Sequence, residues 1–195
     1  EAPRESAGET AWTLFLDGFG HVLPDGWDHC LFMVAMFLGA SSLGQALRRS
    51  LVFTLGHSIT LTAVAMGWLG QPGPWIEPFI ALTIGVSAWL AFRGRLQERS
   101  ALILPAVFGL VHGLGFAAAV ADNLASWSAG DVVLILIGFN LGVEGAQALV
   151  IGIVATLFWA TARAHLPEAK LRRGLSLAVA LTGFGVFVWR LLGLS

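Results

Sequence analysis

The stretch "GHVLPDGWDH", residues 20–29, carries His21, Asp25, Asp28 and His29 within ten positions, beside a long apolar run. Two imidazoles with one or two carboxylates make a borderline nitrogen and oxygen ligand set. Such a set suits Ni²⁺, Co²⁺, Zn²⁺ or Cu²⁺ better than Mg²⁺ or Ca²⁺. Pro24 and Gly26 let the chain fold back so that His21 approaches Asp28 and His29. Asp25 reads better as a turn residue, and Asp28 also has the position of a helix cap. Further along stand His57, His112 and Glu144, each inside an otherwise apolar segment. Ionisable groups in such places are expensive and mark functional sites. A carboxylate at that depth must be protonated, paired or bound to a cation.

The elements that hold these residues follow from composition. Hydrophobic residues make up 56% of the 195-residue chain and charged residues 12%, with a mean hydropathy of +0.79. An ordinary soluble domain has about 25% charged residues, so this chain has too few to wet a globule. The expected fold is an all-α integral membrane protein, one transmembrane domain over 1–195, with a polar extracytoplasmic segment at 1–9. A span needs about 20 apolar residues. Six are read: 27–45, 51–69, 75–93, 101–121, 131–160 and 174–193, with 10–22 as a short interfacial or re-entrant helix. The single cysteine, Cys30, excludes a thiolate cage within one chain, and no basic patch suggests nucleic acid.

Basic residues set the orientation. Arg48 and Arg49, then Arg93, Arg95 and Arg99, then Arg163, Lys170, Arg172 and Arg173 account for nine of the eleven Lys and Arg, all in alternate loops. The positive-inside rule makes those loops cytoplasmic and both termini extracytoplasmic. On this topology His21, Asp28 and His29 form an outer mouth, and His57, His112 and Glu144 a deeper site. "VFTLGHSITL" at 52–61 and "VFGLVHGLGF" at 107–116 share V-F-x-L-x-H in register, which places His57 and His112 at equivalent points of two helices running the same way. Thr54 and Ser58 share the His57 face, and Asn140, Glu144 and Gln147 project from one face of their helix. Asp25, Thr54, Ser58, Asn140 and Gln147 support the ligands or line the pathway in this reading, and for the last four the alternative is interhelical hydrogen-bond glue.

Four segments, "HVLPDGWDHCLF" at 21–32, "FTLGHSITL" at 53–61, "FGLVHGLGFA" at 108–117 and "FNLGVEGAQ" at 139–147, resemble the HupE/UreJ family of bacterial membrane proteins, in its second branch. The resemblance implies a nickel or cobalt permease or secondary transporter, of the kind associated with hydrogenase and urease gene clusters. The expected function is thus a divalent transition-metal permease, its ligands drawn from His21, Asp28, His29, His57, His112 and Glu144. Its partners are the lipid bilayer and the metal ion. One alternative is an intramembrane metalloenzyme of zinc-hydrolase type built on the same cluster, since three ligands and an open position also describe a catalytic metal. Another is a non-catalytic metal-delivery subunit, in a homo-oligomer or with an envelope protein partner.

Overall fold

The computed structural model describes residues 7–94, 100–124 and 128–193. Arg95 and Arg99, and residues 1–6 of the polar N-terminal segment, lie outside them. Among the described residues there are seven helices and no strand: α1 Ala7–Val22, α2 Trp27–Leu38, α3 Leu43–Ala65, α4 Ile76–Phe92, α5 Ser100–Leu124, α6 Ala129–Arg163 and α7 Glu168–Leu191. Gly130–Arg163 and Glu168–Leu191 are long and apolar enough to cross a bilayer. The exteriors of the helices carry large apolar side chains, such as Ile59, Leu141 and Leu181, each more than half exposed. Water does not favour such a surface, and lipid does.

The segment 27–45, expected as one span, is not one helix. α2 stops at Leu38, and α3 starts at Leu43 after a connection in which the Ser42 hydroxyl accepts the Gln45 amide as an N-cap. Twelve residues make a helix of about 18 Å, short of the hydrocarbon thickness. Two arginines hold the freed C-terminal carbonyls of α2. Arg49 donates to Met36 O at 3.3 Å and Arg172 to Phe37 O at 3.2 Å, the arrangement a helix C-terminus favours. An apolar run measures hydrophobic length, and the break falls where Gly39, Ser41 and Ser42 interrupt it.

Close helix pairing builds the bundle. α3 and α5 run in the same direction, with Gly109 against the Phe53 carbonyl and Gly113 against the His57 carbonyl. α1 and α6 also run the same way, with Gly138 against Ala11 O and Gly142 against Phe15 O. At each of these glycines a Cβ would collide with backbone, so small residues set the approach. α4 and α7 are antiparallel, crossing at Gly85 and Gly183, with Arg190 paired to Glu77 near their ends. α2 is antiparallel to α7, since Trp27 meets Arg190 and Phe37 meets Arg172. The short turn 164–167 reverses α6 into α7. α1 and α2 therefore run the same way, as two halves of a helix broken at residues 23–26.

Candidate metal centre

The break between α1 and α2 brings His21 and His29 together. His21 ends α1, His29 lies in the first turn of α2, and their ring centroids are 4.7 Å apart. Gly26 sits against the His21 carbonyl, where a side chain would not fit. Asp25 is exposed in the turn, its amide donating to Gly20 O and its carbonyl accepting from Trp27. That agrees with a turn role.

α3 supplies His57, fully buried, with its ring 6.5 Å from His21 and 6.2 Å from His29. α5 supplies His112, 5.1 Å from His29 by ring centroids. The glycine-set register of α3 and α5 puts His57 and His112 at the same level, as the repeated V-F-x-L-x-H predicts. Phe32, Phe53, Phe116 and Phe139 wall the cluster. One ring nitrogen from each of His21, His29 and His57 falls in a group whose atoms all lie within 4.8 Å of one another.

The hydrogen bonding of these rings is one-sided. His29 Nδ1 is 3.2 Å from Asp28 Oδ1, which also accepts the His29 amide at 2.9 Å. His112 Nε2 is 2.8 Å from Thr83 Oγ1, whose hydroxyl is also 2.7 Å from Ile80 O. The other nitrogens, His29 Nε2 and His112 Nδ1, are buried without a hydrogen-bond partner, as are His21 Nε2 and both nitrogens of His57. A buried polar atom left unsatisfied costs about 1–3 kcal/mol, so five such nitrogens in one place would be a heavy penalty. A cation between them removes most of it, since each ring gives one nitrogen and the second His57 nitrogen stays outside. Ligand nitrogens about 2.1 Å from a tetrahedral ion stand about 3.4 Å apart. Nitrogens up to 4.8 Å apart would close by about 1.4 Å to share one such ion. The arrangement in which one nitrogen is held by a carboxylate or hydroxyl while the other faces the site is the one that orients metal-ligating histidines. The donors present therefore fit a transition-metal ion.

The expected two-tier arrangement gives way to a single histidine cluster. His21 and His29 join His57 and His112 because the α1–α2 break turns both rings into the bundle. Asp28 touches the His29 ring and also accepts the free first-turn His29 amide of α2, although the N-cap position itself is Gly26, which makes no side-chain cap bond. Glu144 is not among the histidines. Its carboxylate meets Thr54 Oγ1 at 2.6 Å and Ser50 Oγ at 3.3 Å. Gln147 Oε1 meets the same two hydroxyls at 3.2 and 2.8 Å. Ser58 donates to the Thr54 carbonyl, and the Asn140 amide donates to Leu136 O, which leaves its buried Oδ1 without a partner. Sequence reasoning overlooked Thr83 and Ser50. Ser50 lies one turn before Thr54 on the same stripe, a signal that spacing offered. Thr83 stands one turn before Ser87 on α4, both buried, but neither is near a histidine in the sequence, so spacing did not tie Thr83 to His112.

The described residues are helical with apolar exteriors, two of the helices are long enough to cross a bilayer, and three imidazoles form a group that could hold a metal ion, which together define a membrane protein with a candidate metal centre. Within that class, the chain belongs to the HupE/UreJ family: the family profile described as HupE / UreJ protein matches residues 2–191, nearly its whole length. No curated protein and no solved structure matches it.

Proposed function

We propose that this protein is a divalent transition-metal permease of the bacterial inner membrane, with six crossings and both termini extracytoplasmic, the first crossing made by α1 and α2 in tandem. His21, His29 and His57 bind the ion as substrate, and His112 Nδ1 is the fourth donor. Asp28 and Thr83 orient His29 and His112. Asn140 and Gln147 are pathway residues rather than ligands. The observation that carries the reading is the group of buried, partnerless ring nitrogens on three elements. Imidazole donors suit nickel, copper and zinc, and the family is generally linked to nickel and cobalt transport. A helix broken at the substrate level is a recurring device of secondary transporters, where irregular backbone lines the binding site.

The test is uptake of Ni²⁺, Co²⁺ and Zn²⁺ into proteoliposomes holding oriented protein. Metal-dependent uptake by the wild type, lost in His57→Ala, supports the permease. Tight metal binding without uptake favours a second reading, an intramembrane metalloenzyme. One observation supports that alternative: the histidines form a single centre instead of successive sites along a path.

A further inference from the structure

Glu144 stands apart from the histidine centre, in a second polar cluster between α3 and α6. Among the described residues its carboxyl oxygens meet only hydroxyls, those of Thr54 and Ser50, and it forms no ion pair. His21, Asp28, His29 and His57, the titratable groups that α1, α2 and α3 turn toward the bundle, form no ion pair with it. Arg49 turns its guanidinium to the Met36 carbonyl. α7 buries only Ser176, Val179, Ala180 and Gly183. An ionised carboxylate here would be a half-buried charge between apolar helices without a counter-ion, the costliest state available to it.

Ser50 and Thr54 face both Glu144 oxygens and the Gln147 amide. With a proton on Glu144, Glu144 donates to Ser50, Ser50 to Gln147, and Thr54 to the second Glu144 oxygen, which serves three of these contacts. With the Gln147 amide turned the other way, its Nε2 donates to the hydroxyls and the hydrogens no longer decide the state of Glu144, but Glu144 still meets only hydroxyls. A metal ion does not fit instead. Oxygens around a hard cation at about 2.4 Å stand about 3.4 Å apart at right angles, whereas Thr54 and Glu144 are 2.6 Å apart and Ser50 and Gln147 2.8 Å, at hydrogen-bond distance.

A groove of about 300 Å³ between α3 and α6 is mostly apolar, with Leu55, Ile137 and Leu141 at its exterior, and Thr54, Ser58, Thr62, Asn140 and Glu144 supply its polar groups. Ser50, Thr54, Ser58 and Thr62 repeat every fourth residue, so they form one stripe about 18 Å long on α3.

We propose that Glu144 is a proton-carrying carboxyl, neutral in this conformation, that exchanges its proton along the hydroxyl stripe of α3 and supplies the coupling ion for transport. As a coupling site it rests on the permease reading; as a protonated carboxyl it does not. The test takes wild type, Glu144→Gln and Thr54→Val in lipid vesicles, with Zn²⁺ as the probe. Infrared spectra at neutral pH should show a protonated carboxyl band that Glu144→Gln loses and Thr54→Val shifts. Glu144→Gln should bind Zn²⁺ as the wild type does and lose the dependence of Zn²⁺ flux on a pH gradient. Absence of a band assignable to Glu144 overturns the proposal. A gradient-dependent flux that survives in Glu144→Gln overturns the coupling. A wild type without Zn²⁺ flux overturns the permease and the coupling together, while the infrared band still decides the protonated carboxyl.

Discussion

Asp28 Oδ1 lies 3.2 Å from Nδ1 of His29, the next residue in the chain, and the same oxygen accepts the His29 backbone amide. One carboxylate oxygen thus fixes the first turn of α2 and the tautomer of the ring beside it. With the proton held on Nδ1, Nε2 faces His21 and His57 as a lone-pair donor. The pair sits just after the break between α1 and α2, so the geometry that interrupts the helix also aims the ligand.

Asp28→Asn keeps the size of the side chain and removes its charge. Metal affinity should fall about 10- to 100-fold, the usual cost of losing the group that orients a ligating histidine. Titration against a chromophoric chelator measures it, with circular dichroism to show that the helices persist. Unchanged affinity would mean that His29 is not a ligand or does not need Asp28.

His57→Leu separates a ligand from a packing residue. Both ring nitrogens of His57 are buried without a hydrogen bond of good geometry, with the Asn140 side chain as a polar neighbour, so in metal-free protein the apolar replacement should leave stability unchanged or raise it by about 1–3 kcal/mol. Metal should raise the thermal midpoint of the wild type by binding the native state and leave that of the variant unmoved. Thermal unfolding in detergent, with and without metal, reads both effects. Lower stability of metal-free His57→Leu would mark His57 as a structural residue.

Gly113→Ala tests the helix register that levels His57 with His112. A Cβ there meets the His57 carbonyl and the Thr60 hydroxyl, whereas one at Gly152 meets nothing within 4 Å. Gly113→Ala should destabilise by about 1–3 kcal/mol as overpacking does and weaken metal binding. Gly152→Ala should do neither. Equal behaviour of the two variants in the same unfolding and binding assays would show that α3 and α5 are not held this closely.

The helical class and the identity of the histidines were legible in the sequence. Apolar runs can only be helical in such a chain, and imidazoles there stand out. The repeated V-F-x-L-x-H also carried the pairing of His57 with His112, because both helices run the same way and pack through glycines at matching points. What spacing did not carry was which helix each face meets. Asn140, Glu144 and Gln147 share a face of α6, yet Glu144 reaches the hydroxyls of α3 and no histidine. Nor did hydropathy reveal that α1 and α2 form one broken element, because a run of apolar residues does not record where the backbone turns. That omission is why His21 and His29 were expected at an outer rim and not beside His57.

X-ray absorption at the metal edge of purified, Ni²⁺- or Zn²⁺-loaded protein tests the histidine centre most directly. The expected result is about one ion per chain with three or four imidazole nitrogens, at about 2.0–2.1 Å for zinc, and loss of that signature in His57→Ala. An ion held only by oxygen ligands, or protein that retains no stoichiometric metal, would contradict it.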